Sequence, residues 1–106
     1  MTNNKILGLI GLSARARNIA FGADSVEMEI KKRKIHLIII ATDSSERTKS
    51  KFQKLSEEYN IPIIVVETIE NLSKSIGKSN KAIIGIKDIN IVNEIQRINN
   101  GGDVIG

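Results

Sequence analysis

The sequence predicts an α/β protein, a three-layer α/β/α sandwich around a small mixed central sheet of about four strands. Three observations carry that expectation. The segments "HLIIIA" (36–41), "IPIIVV" (61–66) and "KAIIGI" (81–86) are unbroken apolar runs rich in isoleucine and valine, the signature of strands covered on both faces. The segments between them repeat their apolar residues at helical spacing. Finally, 106 residues without a cysteine must hold together by packing alone, and domains of ~100–150 residues do so routinely.

Taken in order, "NKILGLIGLSARAR" is apolar nearly all round and reads as a buried helix, with Gly8 and Gly11 allowing close approach. "NIAF" reads as a short strand ended by Gly22. The next stretch, through the four cations Lys31 to Lys34, reads as a helix. The first long apolar run follows. "SSERTKSKFQKLSEEYN" then aligns Phe52, Leu55 and Tyr59 on one helical face, with Asp43, Ser44 or Ser45 as its cap. The second run starts at Pro62, where a missing ladder donor does least harm. "ETIENLSKSIG" aligns Ile69, Leu72 and Ile76 and stops at Gly77. After the third run, "DINIVNEIQRINN" aligns Ile91, Ile95 and Ile98. Residues 1–100 are expected to form one domain, with 101–106, "GGDVIG", as a flexible tail.

Composition narrows the function classes. No run approaches the ~18 apolar residues that span a bilayer, and the N-terminus lacks a signal-peptide layout, so a cytoplasmic protein is expected. The formal charge of +4 favours an anionic partner such as nucleic acid. With Phe21, Phe52 and Tyr59 the only aromatics, contacts to phosphate, shape and base edges are expected rather than a stacked single strand. Catalytic readings find little support. His36 is the single histidine, at the start of a buried-looking strand. Neither GxGxxG nor GxxxxGK[ST] occurs, and "ATDSSE" around Asp43 reads as a helix cap. No enzyme activity, cofactor, metal or small-molecule substrate is expected.

The segment from Asn18 to Lys34 supports two readings. In one, Asp24 and Glu27 form a capping-box-like D-x-x-E at a helix start, and Lys31 to Lys34 offset the dipole at its end. In the other, the strand–Gly–helix turn exposes backbone N–H groups beside small side chains, Ala23 and Ser25, with Lys32 reaching along the same face. A second loop, "SIGKSNKA" (75–82), contains a glycine and two lysines. If the sheet order joins the two loops, they make one basic, mostly non-aromatic edge.

At this point the blocks "ILGLIGLSARARNIAFGADSV", "KKRKIHLIIIATDSSERTKSKF", "YNIPII", "LSKSIGK" and "AIIGI" become recognisable. Over nearly its whole length the chain resembles the ribosomal protein L7Ae family of kink-turn RNA-binding proteins, above all its small bacterial members. The resemblance implies the same sandwich and a Gly-x-Asn-Glu-x-x-Lys pattern that reads tandem sheared G·A pairs. Gly22 matches the glycine, Asp24 the Asn position, Ser25 the Glu position and Met28 the Lys position, while Lys32 matches a basic position facing the RNA backbone. The second RNA-facing loop corresponds to Gly77, Lys78, Ser79 and Asn80. Asp24 carries no amide donor, and Met28 offers no cation to a guanine edge.

The expected function is therefore a small ribonucleoprotein component, monomeric, bound to structured RNA such as ribosomal RNA and recognising a kink-turn. Gly22, Ala23, Asp24 and Ser25 would approach the G·A region, Met28 would sit beside it, Lys31, Lys32 and Lys78 would contact phosphates, and Gly77 and Ser79 would complete the second loop. The departures leave one rival, a protein-interaction module on the same fold with its RNA edge degenerated.

Overall fold

A computed structural model of the chain describes residues 2–101; of the tail expected at 101–106, all but Gly101 lies outside the described residues. Five helices alternate with four strands: α1 (Thr2–Arg15), β1 (Ile19–Phe21), α2 (Ala23–Lys31), β2 (Leu37–Ile40), α3 (Glu46–Tyr59), β3 (Ile63–Val65), α4 (Ile69–Ser75), β4 (Ile83–Ile86) and α5 (Ile89–Asn99). The strands form one sheet in the order β1-β4-β2-β3. β4 runs antiparallel to both neighbours, and β2 and β3 are parallel across the α3 crossover.

The unbroken runs mean what two-sided burial requires. Leu37, Ile39, Ala41, Ile84 and Ile86 point into a core shared with α1, α4 and α5. Ile38, Ile40 and Ile83 alternate with them into a second core against Val26 and Ile30 of α2 and Phe52 and Leu55 of α3. Ile38, Ile39 and Ile40 are essentially inaccessible to water, and each such side chain contributes roughly 1.5–3 kcal/mol by burial. Gly85 lets the second layer close down: a Cβ there would stand 2.8 Å from Ile35 Cδ1. The β-branched side chain of Ile35 occupies the space instead.

Two elements differ from expectation. β3 is an edge strand with Val65 exposed and Ile63 and Ile64 only half-buried, because no strand pairs beyond it. Its entry is nonetheless tied in, since Pro62 O accepts from Ile38 N at 2.9 Å. α1 buries a stripe, Ile6, Ile10 and Ser13, rather than its whole circumference. Leu12 is exposed and Gly8 faces open space, because α1 is an outer layer with solvent behind it. Gly11 does make the close approach, to Ser75 O of α4.

The caps are also specific. Ser45, of the three candidates, caps α3 by accepting from Thr48 N. Asp43 serves a different helix, its Oδ1 accepting from Ile69 N at the start of α4. In α5 the buried stripe is Val92, Ile95 and Ile98, with Ile91 half-buried beside it.

Candidate nucleic-acid interface

The antiparallel pairing of β1 with β4 decides what stands at one pole of the sheet. Phe21 lies opposite Ile84, and Gly22 N donates to Ile83 O at 2.9 Å. The loop entering β4 therefore runs beside the start of α2, and the two loops of the sequence form one edge. Lys81 Nζ and Cδ lie 3.9 and 4.0 Å from where a Cβ on Gly22 would be. Buried Ser73 of α4 fixes this loop: its hydroxyl accepts from Lys81 N at 2.8 Å and donates to Lys81 O at 3.3 Å. Gly77 and Asn80 take positive φ values of 70° and 56°, turning the chain twice within a few residues.

Gly22 is the N-cap of α2, with φ 88° and ψ 149° and no side-chain cap. Side chains other than glycine's rarely tolerate that conformation. The capping box anticipated from Asp24 and Glu27 does not form. Its register requires the cap at Asp24, but the glycine turn starts the helix two residues earlier and leaves Asp24 inside the first turn. Ala23, Asp24 and Ser25 are all exposed there. Their backbone N–H groups precede the first intrahelical bond, Val26 N to Gly22 O, and form the positive end of the helix.

Further along α2 the cations are engaged. Glu27 accepts from Lys51 of α3 at 2.7 Å and from Lys31 at 3.1 Å. The hydrogen bonds from Lys51 and Lys31 hold its carboxyl below the usual range, and the Glu27 carboxylate in turn raises the Lys31 ammonium. Glu29 is held by Lys87 at 2.8 Å and approached by Lys32 at 3.7 Å. The hydrogen bond from Lys87, then the charges of Lys87, Lys32 and Lys34, lower its carboxyl too. Lys31 thus belongs to the α2–α3 side, and Lys32 lies about 15 Å down the helix from Gly22 at 1.5 Å per residue.

Lys78 and Lys81 are placed differently. Among the described residues neither joins an ion pair; both ammonium groups stand over the ring of Phe21, 5.3 and 5.6 Å from its centroid. Met28 is half-exposed and shares a groove of about 270 Å³ with Ile19, Ala20, Phe21, Ser25, Glu29 and Lys87, between the edge strand β1 and α2.

The structure therefore gathers Gly22, Ala23, Asp24 and Ser25 with Gly77, Lys78 and Ser79, sets Met28 on the flank, and leaves Lys31 and Lys32 further off. Sequence reasoning passed over Phe21, Lys81 and Lys87. The doubly basic loop signalled Lys81, but only the strand pairing reveals that Phe21 lies beneath it, so the edge has one aromatic after all. His36 lies at the opposite pole, exposed beside Arg33 and Tyr59, with its backbone N–H given to Ile86 O. Among the described residues no three His, Cys, Asp or Glu side chains cluster as metal ligands, and no helix is long and apolar enough to cross a membrane.

Comparison with known proteins fits this architecture. The model of the ribosomal protein L7Ae/L30e/S12e/Gadd45 family matches residues 4–95. The chain belongs to that family. Within it, the RNA-binding protein YlxQ of Bacillus subtilis (strain 168) is 31% identical over 87 residues, 82% of this chain and 87% of its own. YlxQ of Enterococcus faecium is 32% identical over 84 residues, 79% and 81% of the two chains. Among solved structures, a Bacillus halodurans C protein of unknown function superposes with a TM-score of 0.85 at 32% identity, covering 89% of this chain and 95% of that one. A Giardia lamblia 15.5kD RNA binding protein superposes with a TM-score of 0.77, covering 89% and 83%. At 21% identity that last likeness speaks for the L7Ae-type fold alone.

Proposed function

We propose that this chain is a small, non-enzymatic RNA-binding protein of the bacterial cytoplasm, acting as a monomer on structured RNA of the ribosomal kind and recognising a kink-turn. The observation that carries the reading is the single edge where the glycine-led start of α2 meets Lys78 and Lys81. Two cations that join no ion pair among the described residues stand beside the positive end of a helix, and such a pair attracts phosphate. Family membership and the names of the Bacillus and Enterococcus relatives support the same reading.

In this proposal Gly22, Ala23, Asp24 and Ser25 approach the backbone at the G·A region through N–H groups and small side chains. Lys78 and Lys81 take the phosphates, with Gly77 and Ser79 shaping the loop that presents them. Lys32 and Lys31 act from further away, and Met28 flanks the contact.

The test is a titration of a kink-turn stem and a plain duplex of equal length across a salt series. Tighter binding of the kink-turn, with a slope that falls by roughly 0.7–0.9 for each lysine contact removed, supports the reading. Equal binding of the two RNAs, or none, favours the protein-interaction module.

A further inference from the structure

Two helices end and one begins at the pole opposite the RNA edge. α2 and α3 close through left-handed residues, Arg33 at φ 61° and Asn60 at φ 57°, and α5 opens there at Ile89. Between them lies a groove of about 340 Å³ that stands open to solvent. Its floor is apolar: Ile30, Ile35, Ile61 and Val92 line it and are otherwise buried. At the rim, half-exposed Ile89 and exposed Pro62 leave more apolar surface in water.

The polar groups of the groove can all donate hydrogen bonds. Arg33 and His36 bring its basic side chains, Asn60 and Gln96 its amides, and no carboxylate lines it. The acids nearest in sequence are engaged elsewhere: Glu57 accepts from Gln53, Glu58 acts on Lys31, and Asp88 caps α5 through Asn90 N. Arg33 joins no ion pair among the described residues. Its guanidinium lies 5.4 Å from the centre of the Tyr59 ring, a contact that steadies the planar fork without using its N–H groups. The helix ends do little to repel an anion, because Arg33 N, Lys34 N and Ile61 N already donate to the closing carbonyls of α2 and α3.

We propose that this groove docks an acidic segment of a partner protein, with one large apolar side chain on the floor and a neighbouring aspartate or glutamate on Arg33. Charge complementarity sets the sign of the occupant, since the groove offers cations and donors and no acid. A carboxylate also matches the fork of a guanidinium in two parallel hydrogen bonds. Size sets the anchor. The volume holds about one large side chain, and the open mouth lets the rest of the partner's chain continue outside. An arginine packed on a tyrosine is the kind of pair on which interfaces concentrate their binding energy. A nucleic-acid backbone gains nothing from an isoleucine and valine floor. The proposal does not rest on the RNA reading, because none of these residues belongs to the edge at Gly22 and Lys78. The two poles let one molecule hold RNA and a protein at the same time.

The probe is a random dodecapeptide display library selected on the full chain, with the enriched peptides then titrated into isotope-labelled protein. The expected peptides pair a tryptophan, phenylalanine or leucine with an aspartate or glutamate. They shift the amides of Ile35, His36, Asn60, Ile61 and Val92. Arg33→Gln lowers their affinity roughly 10- to 150-fold, as does replacing the peptide's acid by its amide. Ile89→Ser weakens them as well. The amide peptide tests the same contact on unaltered protein, so it decides should either variant melt early. A kink-turn stem added afterwards leaves the peptide bound. No enrichment, enriched peptides without an acid, shifts confined to another face, or displacement of the peptide by the stem overturns the proposal. So does sedimentation that finds a wild-type dimer and an Arg33→Gln monomer, because the groove is then filled by a second copy of the chain.

Discussion

The two ends of α2 show how sequence charge and available charge part company. The C-terminal end carries the run Lys31 to Lys34, the most conspicuous basic feature of the chain. Yet Lys31 and Lys32 already face Glu27 and Glu29, and Arg33 lies over Tyr59. The N-terminal end carries no cation of its own and one acid, Asp24. It nevertheless has the helix's positive end and two lysines delivered from a loop far away in sequence. On the proposed reading an anion gains more at the second place, despite Asp24, because among the described residues Lys78 and Lys81 join no ion pair that must first be broken.

The sharpest way to break that contrast is at Gly22. Gly22→Ala puts a Cβ into ordinary contact distance of Lys81, so space is not the obstacle. The φ of 88° is, and holding alanine there costs about 1–3 kcal/mol. Denaturant unfolding should show a loss of about that size, and RNA affinity should fall further than in any lysine variant. Next in size, Lys78→Ala with Lys81→Ala should reduce kink-turn affinity on the order of 20-fold at 150 mM salt and flatten the salt slope by roughly 1.4–1.8.

Met28→Lys sharpens the comparison by adding a cation at the favoured end. Met28 is half-exposed beside Ser25 and Phe21, so the new ammonium is within reach of a base edge or phosphate. Kink-turn binding should tighten by about 1 kcal/mol or more, and the plain duplex should gain less. Lys32→Ala samples the other end. Because its charge already faces Glu29, the variant should weaken all RNAs alike, change the slope by less than 0.7–0.9, and cost less than Lys78→Ala alone.

The smallest effect concerns acid stability. Glu27 titrates below its ordinary range through its hydrogen bonds from Lys51 and Lys31. A carboxylate with a lowered folded-state pKa contributes stability above its unfolded pKa and loses it as pH falls through the folded one. Glu27→Gln should therefore cost no more than about 1 kcal/mol at neutral pH and nothing at low pH, where wild type has lost the same contribution. Melting curves of both proteins on either side of the carboxylate range check this.

Much of the fold was legible because two-sided burial writes itself as unbroken runs: Ile38 to Ile40 need apolar surroundings above and below, and their β-branched side chains and short length favour a strand over a buried helical segment. The edge position of β3 was not legible, because its run reads the same as a central one until the strand order is known. The cap of α2 was misjudged for a related reason. D-x-x-E has the spacing of a capping box, but the left-handed turn at Gly22 fixes where the helix begins. The candidate site was legible at Gly22 to Ser25 and in the basic loop. Its central geometry was not, since Lys78 and Lys81 reach Phe21 only through the pairing of β1 with β4.

The most direct test follows backbone amide shifts of the labelled protein as a kink-turn stem is added. Phe21 to Ser25 and Gly77 to Lys81 are expected to move together and saturate at the same RNA concentration, while Lys31 to Lys34 move little. Large shifts confined to Lys31 to Lys34 and the lysines of α3, with Gly22 to Ser25 silent, would contradict this reading.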